Sequence, residues 1–480
     1  MSIVVILLLP LAAAAVALAP LNKRWAPVAT VTACVAVLIL AIRVGLRVAG
    51  GNSFVLFPKW IALDGLSALI LFLIALVGMT AAFFSVGYMG ERSPEAKRLR
   101  FYYTNFNLFM FSMLAIPVLV EPTLVWIAVE LTTLCSVLLV CFENTRAALE
   151  AAWKYVVLSL MGAAVALLGF VILFAALQAA GGGSYTWDRL TASAPGMPPI
   201  LLQTAFLLIL VGFGTKVGLA PMHTWLPDTY SQTPSPVCAL LSGVETTAVL
   251  YVILRLFSVL RAAPGNFPSS WALAFGLFSA GTAAFLLLQV RDYKRLFAYS
   301  SIEHMGIILL AVGFGHQAAH YGALYQALSH TLTKSFCFFA AGATILATDT
   351  QEISSVRGLI RTSPVAGASL LVGGLAIAGA PPFAVFLSEF SIFRAGLAGG
   401  YYLATILLVL FVAISFFGIL RHVNRMVFGR ANETAHSAVR LPTSCVATLG
   451  LAGLLVIVFG FYLPAPLHEL LRQGAIILGK

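Results

Sequence analysis

The sequence predicts an all-α polytopic membrane protein of about 14 transmembrane helices, built largely from two inverted five-helix repeats in which helices 7 and 12 are broken. Three observations carry this expectation. Of the 480 residues, 61% are apolar and 9% charged, and the mean hydropathy is +1.00; soluble domains have about 45–50% and about 25%. The apolar residues run in continuous stretches of about 20, not in the short alternating segments of a membrane β-barrel. Two of those stretches are interrupted by glycine and proline in matching patterns.

Span 1, centred near residue 11, has no positive residue before it and Lys23 and Arg24 behind it. It reads as a retained helix, because a signal peptide carries its positive charge in front. Spans 2 and 3, centred near residues 38 and 75, complete an N-terminal unit over 1–100. Spans 4–8, near 110, 131, 163, 209 and 250, form the first repeat over 101–262. Spans 9–13, near 281, 306, 334, 380 and 414, form the second over 271–428. Span 14, near 453, and a tail fill 441–480. Span 7 reads GFGTKVGLAPMHTWLPD (212–228) and span 12 reads GGLAIAGAPPFAVFLSEF (373–390). Such interruptions free backbone carbonyls, which a membrane tolerates where helix halves face a polar cavity. Aligning Gly218 with Gly379 sets Pro221 opposite Pro382, Trp225 opposite Phe386 and Asp228 opposite Glu389, the basis for placing the repeats.

The cations orient the spans. Loops after odd-numbered spans carry sixteen Lys and Arg, among them Lys97, Arg98 and Arg100 after span 3; the opposite side carries seven. That excess puts the odd loops in the cytoplasm and both termini outside. The net charge of +11 is therefore mostly an orientation signal, and no basic stripe exists to bind nucleic acid. The six cysteines (34, 135, 141, 238, 337, 445) stand singly, which suggests buried hydrophobes and neither a cluster nor a zinc site. A GxGxxG unit after a strand, a P-loop and HExxH are all missing, which argues against a soluble-type nucleotide site.

The informative residues are the charges inside spans. Each costs at least about 2.5–3.5 kcal/mol to insert at the bilayer centre, so it has a partner or a role. Glu130 lies in span 5, Lys154 near the start of span 6, Lys216 in span 7 and Glu245 in span 8. Glu303 and His304 lie in span 10, His330 and Lys334 in span 11, and Glu389 in span 12. Any one could be an inert ion pair; a whole series along one chain points to proton movement. Gln326, His330 and Lys334 recur at i, i+4, i+8 and so share one helix face. Burial raises the pKa of a carboxyl and lowers that of a lysine, toward the range where protons exchange at neutral pH. Other ionisable groups read more blandly. Arg255 is expected to snorkel to the interface, and Asp292, Lys294 and Arg295 to form a cytoplasmic cluster for anchoring or docking. His316, His320, His422, His436 and His468 are expected to be solvated, and His223 to bond a carbonyl freed at Pro221.

Four stretches carry a family resemblance: TKVGLAPMHTWLPDTYSQTPSPVCALLSG (215–243), DYKRLFAYSSIEHMG (292–306), SHTLTKSFCFFAAG (329–342) and AGAPPFAVFLSEF (378–390). They resemble the antiporter-like proton-translocating membrane subunits, which occur in respiratory complex I, in Mrp-type cation/proton antiporters and in the membrane arms of group 4 nickel–iron hydrogenases. The similarity covers about spans 4 to 13. SSIEHMG, the APPF…SEF form and RHVNRMVFG (421–429) look most like component F of the hydrogenase-4 and formate hydrogenlyase type. The resemblance implies that Glu130 and Lys216 form a charge-modulating pair in the first half-channel. It implies that His330 and Lys334 relay protons at the centre of the second, and that Glu389 is a terminal exchange site. Lys154, Glu245, Glu303 and His304 are auxiliary candidates.

Two positions depart from the pattern. Ser242 stands where several relatives carry histidine or lysine, and Gln326 where some carry a second histidine, which puts the continuity of the path between spans 8 and 11 in question. Glu245, one turn from Ser242, is the candidate replacement. The resemblance further implies a multi-pass protein of a prokaryotic plasma membrane, joined to other membrane subunits and to soluble redox subunits. Those partners would hold any nickel–iron centre, iron–sulfur clusters or flavin, leaving this chain without cofactor or metal. The tail after span 14 is shorter than the lateral helix of the distal family member, so that subunit is not expected. The alternative is an Mrp-type subunit coupling Na⁺ or K⁺ to H⁺. A cytochrome or quinone-binding subunit fits less well: haem b needs paired histidines on facing helices, and only His304 and His330 sit well inside spans.

Overall fold

A computed structural model describes residues 2–20, 22–52, 54–57, 60–430 and 440–479. Lys59 and Lys480, counted among the cations, and His436 lie outside the described residues. The N-terminal unit comprises α1 (Ser2–Leu18), α2 (Trp25–Ala49), a hairpin of β1 (Phe54–Phe57) and β2 (Ile61–Leu63), and α3 (Gly65–Arg92). There follow α4 (Ala96–Ala115), α5 (Pro122–Val140), α6 (Arg146–Ala179), the short α7 (Trp187–Ser193), α8 (Pro199–Val217) and α9 (Trp225–Gln232). Next, α10 (Ser235–Leu240) runs through a π-helical turn, Leu241–Glu245, into α11 (Thr246–Arg261). The chain continues as α12 (Phe267–Leu287), α13 (Tyr293–Gly313), α14 (Gln317–Thr348), α15 (Leu359–Thr362), α16 (Pro364–Ile377) and α17 (Ala384–Ala398). It closes with α18 (Tyr402–Phe428), α19 (Thr443–Phe461) and α20 (Ala465–Gly479).

Among the described residues, eleven helices are long and apolar enough to cross a membrane. Three of the expected spans fall outside that count for identifiable reasons. α1 has 17 residues, α4 opens on the charged turn Ala96–Arg100, and span 12 is divided into the 14-residue α16 and the 15-residue α17. The expected tail beyond span 14 folds as the amphipathic helix α20, which packs on α14, α3 and α2.

The helices sort by polarity. The segment from Ser235 to Arg261, α13 and α14 are buried almost all round, and they carry Glu245, Glu303, His304, His330 and Lys334, while Glu130, Lys216 and Glu389 lie on α5, α8 and α17. α2 and α18 bury a third or less of their apolar windows and present Ile42, Leu46, Leu403 and Phe417 outward, as a lipid-facing layer does. Both expected breaks are present. α8 stops at Val217 because Gly218 adopts the left-handed conformation (φ +83°), and α16 stops before Gly379 (φ +78°); a side chain would be strained at either position. Each break also holds a cis X–Pro bond, Ala220–Pro221 and Pro381–Pro382. α6 and α8 touch backbone to backbone: a Cβ on Gly162 would lie 2.5 Å from the Gly212 carbonyl oxygen, closer than any side chain tolerates. That approach brings the last turn of α8 against α6.

Candidate functional site

Lys216 sits in the last turn of α8, just before the break, and is 2% exposed. Its Nζ forms an ion pair with Glu245 Oε1 at 3.0 Å and donates to Thr133 Oγ1 (2.5 Å) and to the Tyr155 hydroxyl (3.3 Å). Glu245 Oε1 also accepts from Thr132 Oγ1 at 2.8 Å and from the Tyr155 hydroxyl at 3.3 Å, and Ser136 Oγ lies 2.8 Å from that hydroxyl. The α-helical pattern is interrupted where Glu245 stands. The π turn inserts one extra residue into the helix, a feature common at functional sites. The break is braced by Trp225, whose Nε1 donates to the Thr215 carbonyl at 2.8 Å while its ring stacks obliquely on Tyr155.

The resemblance gives Lys216 the partner Glu130; the structure instead pairs it with Glu245. Glu130 lies on α5 beside Thr132 and Thr133, half-buried, with no ion pair and with Oε1 lacking any partner among the described residues. Glu245 Oε2 is likewise unpartnered. One ammonium thus sits in a cluster with two carboxyls. It is engaged with the inner one.

The second cluster joins α13, α14, α16 and α17. Lys334 Nζ donates to the Phe297 carbonyl at 2.5 Å and to Ser300 Oγ, with Glu303 one turn further along α13. His304 Nε2 lies 3.2 Å from the Ile377 carbonyl, so that nitrogen carries the proton and Nδ1 accepts from Gln326 Nε2 at 2.8 Å. Gln326 Oε1 in turn accepts from Ser388 Oγ, beside Glu389. Glu389 is buried against Gly379, where a Cβ would stand 2.5 Å from its Oε2. His330 Nε2 donates to the Ser242 carbonyl at 3.1 Å, which leaves Nδ1 as an acceptor with no partner among the described residues. The rings of His304 and His330 are 5.3 Å apart.

Of the two positions that depart from the family pattern, Ser242 lies between these clusters and Gln326 lies within the second. Ser242 bridges them through hydroxyl and carbonyl: Oγ lies 2.8 Å from Ser301 Oγ on α13, and the carbonyl takes His330. Gln326 connects His304 with Ser388. Neither position is left apolar.

Elsewhere the sequence expectations divide. Lys154 pairs with Glu150 (2.7 Å) and Asp228 (3.0 Å), and Asp228 also pairs with Arg295 (2.9 Å), so Lys154 reaches α9 and α13 and makes no pair with Glu130. Lys294 is not free for docking. It is 1% exposed and donates to the Ser231 (2.9 Å) and Thr233 (2.5 Å) carbonyls at the end of α9, of which only Thr233 has another donor among the described residues, the Cys238 thiol at 3.2 Å. Arg255 does not snorkel but pairs with Asp64 inside the protein. His320, expected in solvent, is fully buried against Phe257, and both its ring nitrogens lack partners among the described residues. His316 Nε2 bonds the Ala395 carbonyl at 3.0 Å. Thr132, Thr133, Tyr155 and Ser136 escape a reading of the sequence, although their lone polar atoms in apolar runs beside Glu130 and Lys154 are a usable signal. The π turn leaves none.

These features define a class: a polytopic helical membrane protein with two broken helices and an ion pair between lysine and glutamate at its core. The family model described as "NADH:quinone oxidoreductase/Mrp antiporter, TM" matches residues 119–417, and "NADH-Ubiquinone oxidoreductase (complex I), chain 5 N-terminus" matches 59–102. The chain belongs to this family of complex I and Mrp antiporter-like membrane subunits. It is 39% identical over 374 residues to a hydrogenase-4 component F homolog of Methylacidiphilum infernorum, covering 75% of this chain and 78% of the relative. It is 28% identical over 428 residues to NADH-quinone oxidoreductase subunit N of Desulforudis audaxviator, covering 84% and 83%. The fold also matches a chain of the membrane-bound sulfane sulfur reductase, an archaeal respiratory membrane complex, with TM-score 0.88, 24% identity and coverage of 100% and 98%.

Proposed function

We propose that this chain is a proton-translocating subunit in the membrane arm of a multisubunit redox complex of the group 4 nickel–iron hydrogenase kind. It would cross a prokaryotic plasma membrane fourteen times, as two inverted repeats with both termini outside, while partner subunits hold the redox centres. The observation that carries the reading is the Lys216–Glu245 pair, 2% and 1% exposed. A buried ion pair contributes little net stability, because desolvation offsets the attraction, so its place at the core argues for work done by moving charge. The higher identity to the hydrogenase-4 relative, 39% against 28%, supports the hydrogenase class over a quinone oxidoreductase.

The mechanism follows from who holds whom. Glu130 is the member of the first cluster nearest the flank, so a charge change in a neighbouring subunit acts on it first. A more negative Glu130 draws Lys216 away from Glu245, and the freed carboxylate takes a proton in place of the ammonium. The paired hydroxyls of Ser242 and Ser301 would carry it toward His330, which is bonded to the Ser242 carbonyl and whose open Nδ1 would be the first acceptor in the second cluster. Lys334 and Glu303 set the charge there, and Glu389 exchanges the proton with the opposite side. Lys154 stands with Asp228 and Arg295 on the side of the cation-rich loops, where protons would be collected. Purifying the chain with its natural partners tests the assignment. Recovery of nickel-containing soluble subunits and Na⁺-independent proton uptake are expected; small membrane partners alone, with Na⁺-dependent uptake, would assign it to the Mrp kind.

A further inference from the structure

α11 carries a second buried charge that the relay does not use. Arg255 lies ten residues beyond Glu245, about 15 Å along the helix, or about half the thickness of the hydrocarbon core. It is 7% exposed. Its Nη2 donates to Asp64 Oδ1 (2.5 Å) and Ser67 Oγ (2.7 Å), its Nε donates to the Tyr251 hydroxyl (3.0 Å), and the guanidinium lies 5.1 Å from the Tyr251 ring centre. Ser67 Oγ and the Tyr251 hydroxyl are 3.0 Å apart, which closes the network. Asp64 is fixed independently, because it caps α3 by accepting from the Ser67 backbone N–H at 2.9 Å.

This network forms the floor of a cavity of about 670 Å³ between the β-hairpin, α7, α11 and α20, with Asn52, Asp188, Thr191 and Gln473 among its walls. By the loop charges, that side is the one away from the cytoplasm. On the other side of the floor, α11 offers only Ala248, Val249 and Leu250 before the threonines that follow Glu245, all of them buried. The cavity thus ends, toward the Lys216–Glu245 pair, on Tyr251 and on the arginine that holds the Tyr251 hydroxyl. That choice of residue is informative. A proton passes along hydrogen-bonded groups only if each group can accept one proton and release another. A guanidinium has five donors and no acceptor, and it stays protonated. Asp64 balances its charge, so the interruption leaves no unpaired buried charge.

We infer that Arg255, positioned by Asp64, Ser67 and Tyr251, is a seal against proton leak between an outer, water-accessible vestibule and the Lys216–Glu245 centre. The inference rests on the proton-translocating reading, since only a chain that loads protons at that centre from one side needs its other side closed. The test is read without turnover, so it is independent of pumping. In liposomes holding the purified complex, with no redox substrate, an imposed pH gradient should collapse about tenfold faster with Arg255→Ala than with the native protein, equivalent to about 1.4 kcal/mol of barrier. Asp64→Asn, which keeps the guanidinium and its bonds to Ser67 and Tyr251, should leak less than Arg255→Ala. An assembled Arg255→Ala complex as tight as native would overturn the seal, as would an Asp64→Asn complex that leaks equally. If Arg255→Ala fails to assemble, thiol labelling decides. In a Cys141→Ser background, a membrane-impermeant maleimide applied outside should label Ala192→Cys in the vestibule and not Ala248→Cys beneath the floor. Equal labelling of the two would overturn the proposal. Loss of proton uptake under turnover in Lys216→Ala tests the relay separately.

Discussion

Glu245→Gln is the most telling single perturbation. The substitution keeps the shape and an acceptor for Thr132 and Tyr155 but removes the charge that faces Lys216 at 3.0 Å. Lys216 is then left 2% exposed with only neutral acceptors, the hydroxyls of Thr133 and Tyr155. Removing one member of a buried ion pair costs about 3–5 kcal/mol, because the remaining charge has lost its compensation. Glu130→Gln is the contrast. Glu130 makes no ion pair and its Oε1 has no partner among the described residues, so its loss should cost about 1 kcal/mol or less. Reversible unfolding of the detergent-solubilised complex should rank the two variants in that order. A Lys216→Met/Glu245→Gln double variant should recover about 3 kcal/mol relative to the sum of the singles. In transport, Glu245→Gln should fall to the level of Lys216→Ala. Unchanged proton uptake in Glu245→Gln, with uptake abolished in Lys216→Ala, would make Glu245 structural and refute the assignment. Equal destabilisation by Glu130→Gln would restore Glu130 as the resting partner.

Four further outcomes are expected. Lys294→Ala leaves the Ser231 carbonyl unpaired and the Thr233 carbonyl with only the weak Cys238 thiol donor, which should cost about 1–3 kcal/mol and lower the melting temperature while the surviving protein keeps its proton-to-electron ratio. Gly162→Leu forces α6 away from the Gly212 backbone; overpacking of this kind costs about 1–3 kcal/mol, and displacement of the α8 end should reduce proton uptake more than it reduces assembly, as read by uptake per assembled complex. His330→Gln should abolish uptake by removing the open Nδ1 acceptor. His304→Ala, which strands the Ile377 carbonyl and Gln326 Nε2, should show its first effect as lost stability, about 1–3 kcal/mol in the unfolding assay.

The parts legible in the sequence were those governed by local chemistry. Apolar runs of spanning length read directly as helices, and Gly218 and Gly379 ended theirs because only glycine enters the left-handed region without strain. Glu130, Lys216, His330, Lys334 and Glu389 stood out because charge inside a span is costly. What the sequence did not disclose was pairing. Lys216 has two carboxyls to choose from, and the choice is made by the π turn that carries Glu245, a change of helical period without a sequence signal here. Arg255 and Lys294 read as interfacial cations because the oxygens that hold them, Asp64 Oδ1 and the carbonyls of Ser231 and Thr233, are distant in the chain or belong to the backbone. His320 read as solvated because it stands near a helix end; its burial against Phe257 is set by tertiary packing.

The central claim is that protons pass in series through two clusters, each governed by a buried lysine. Inverted membrane vesicles carrying the assembled complex measure this directly, through proton uptake driven by the redox substrate. Lys216→Ala and Lys334→Ala should each abolish uptake while the complex stays assembled. Full uptake in both variants would contradict the account.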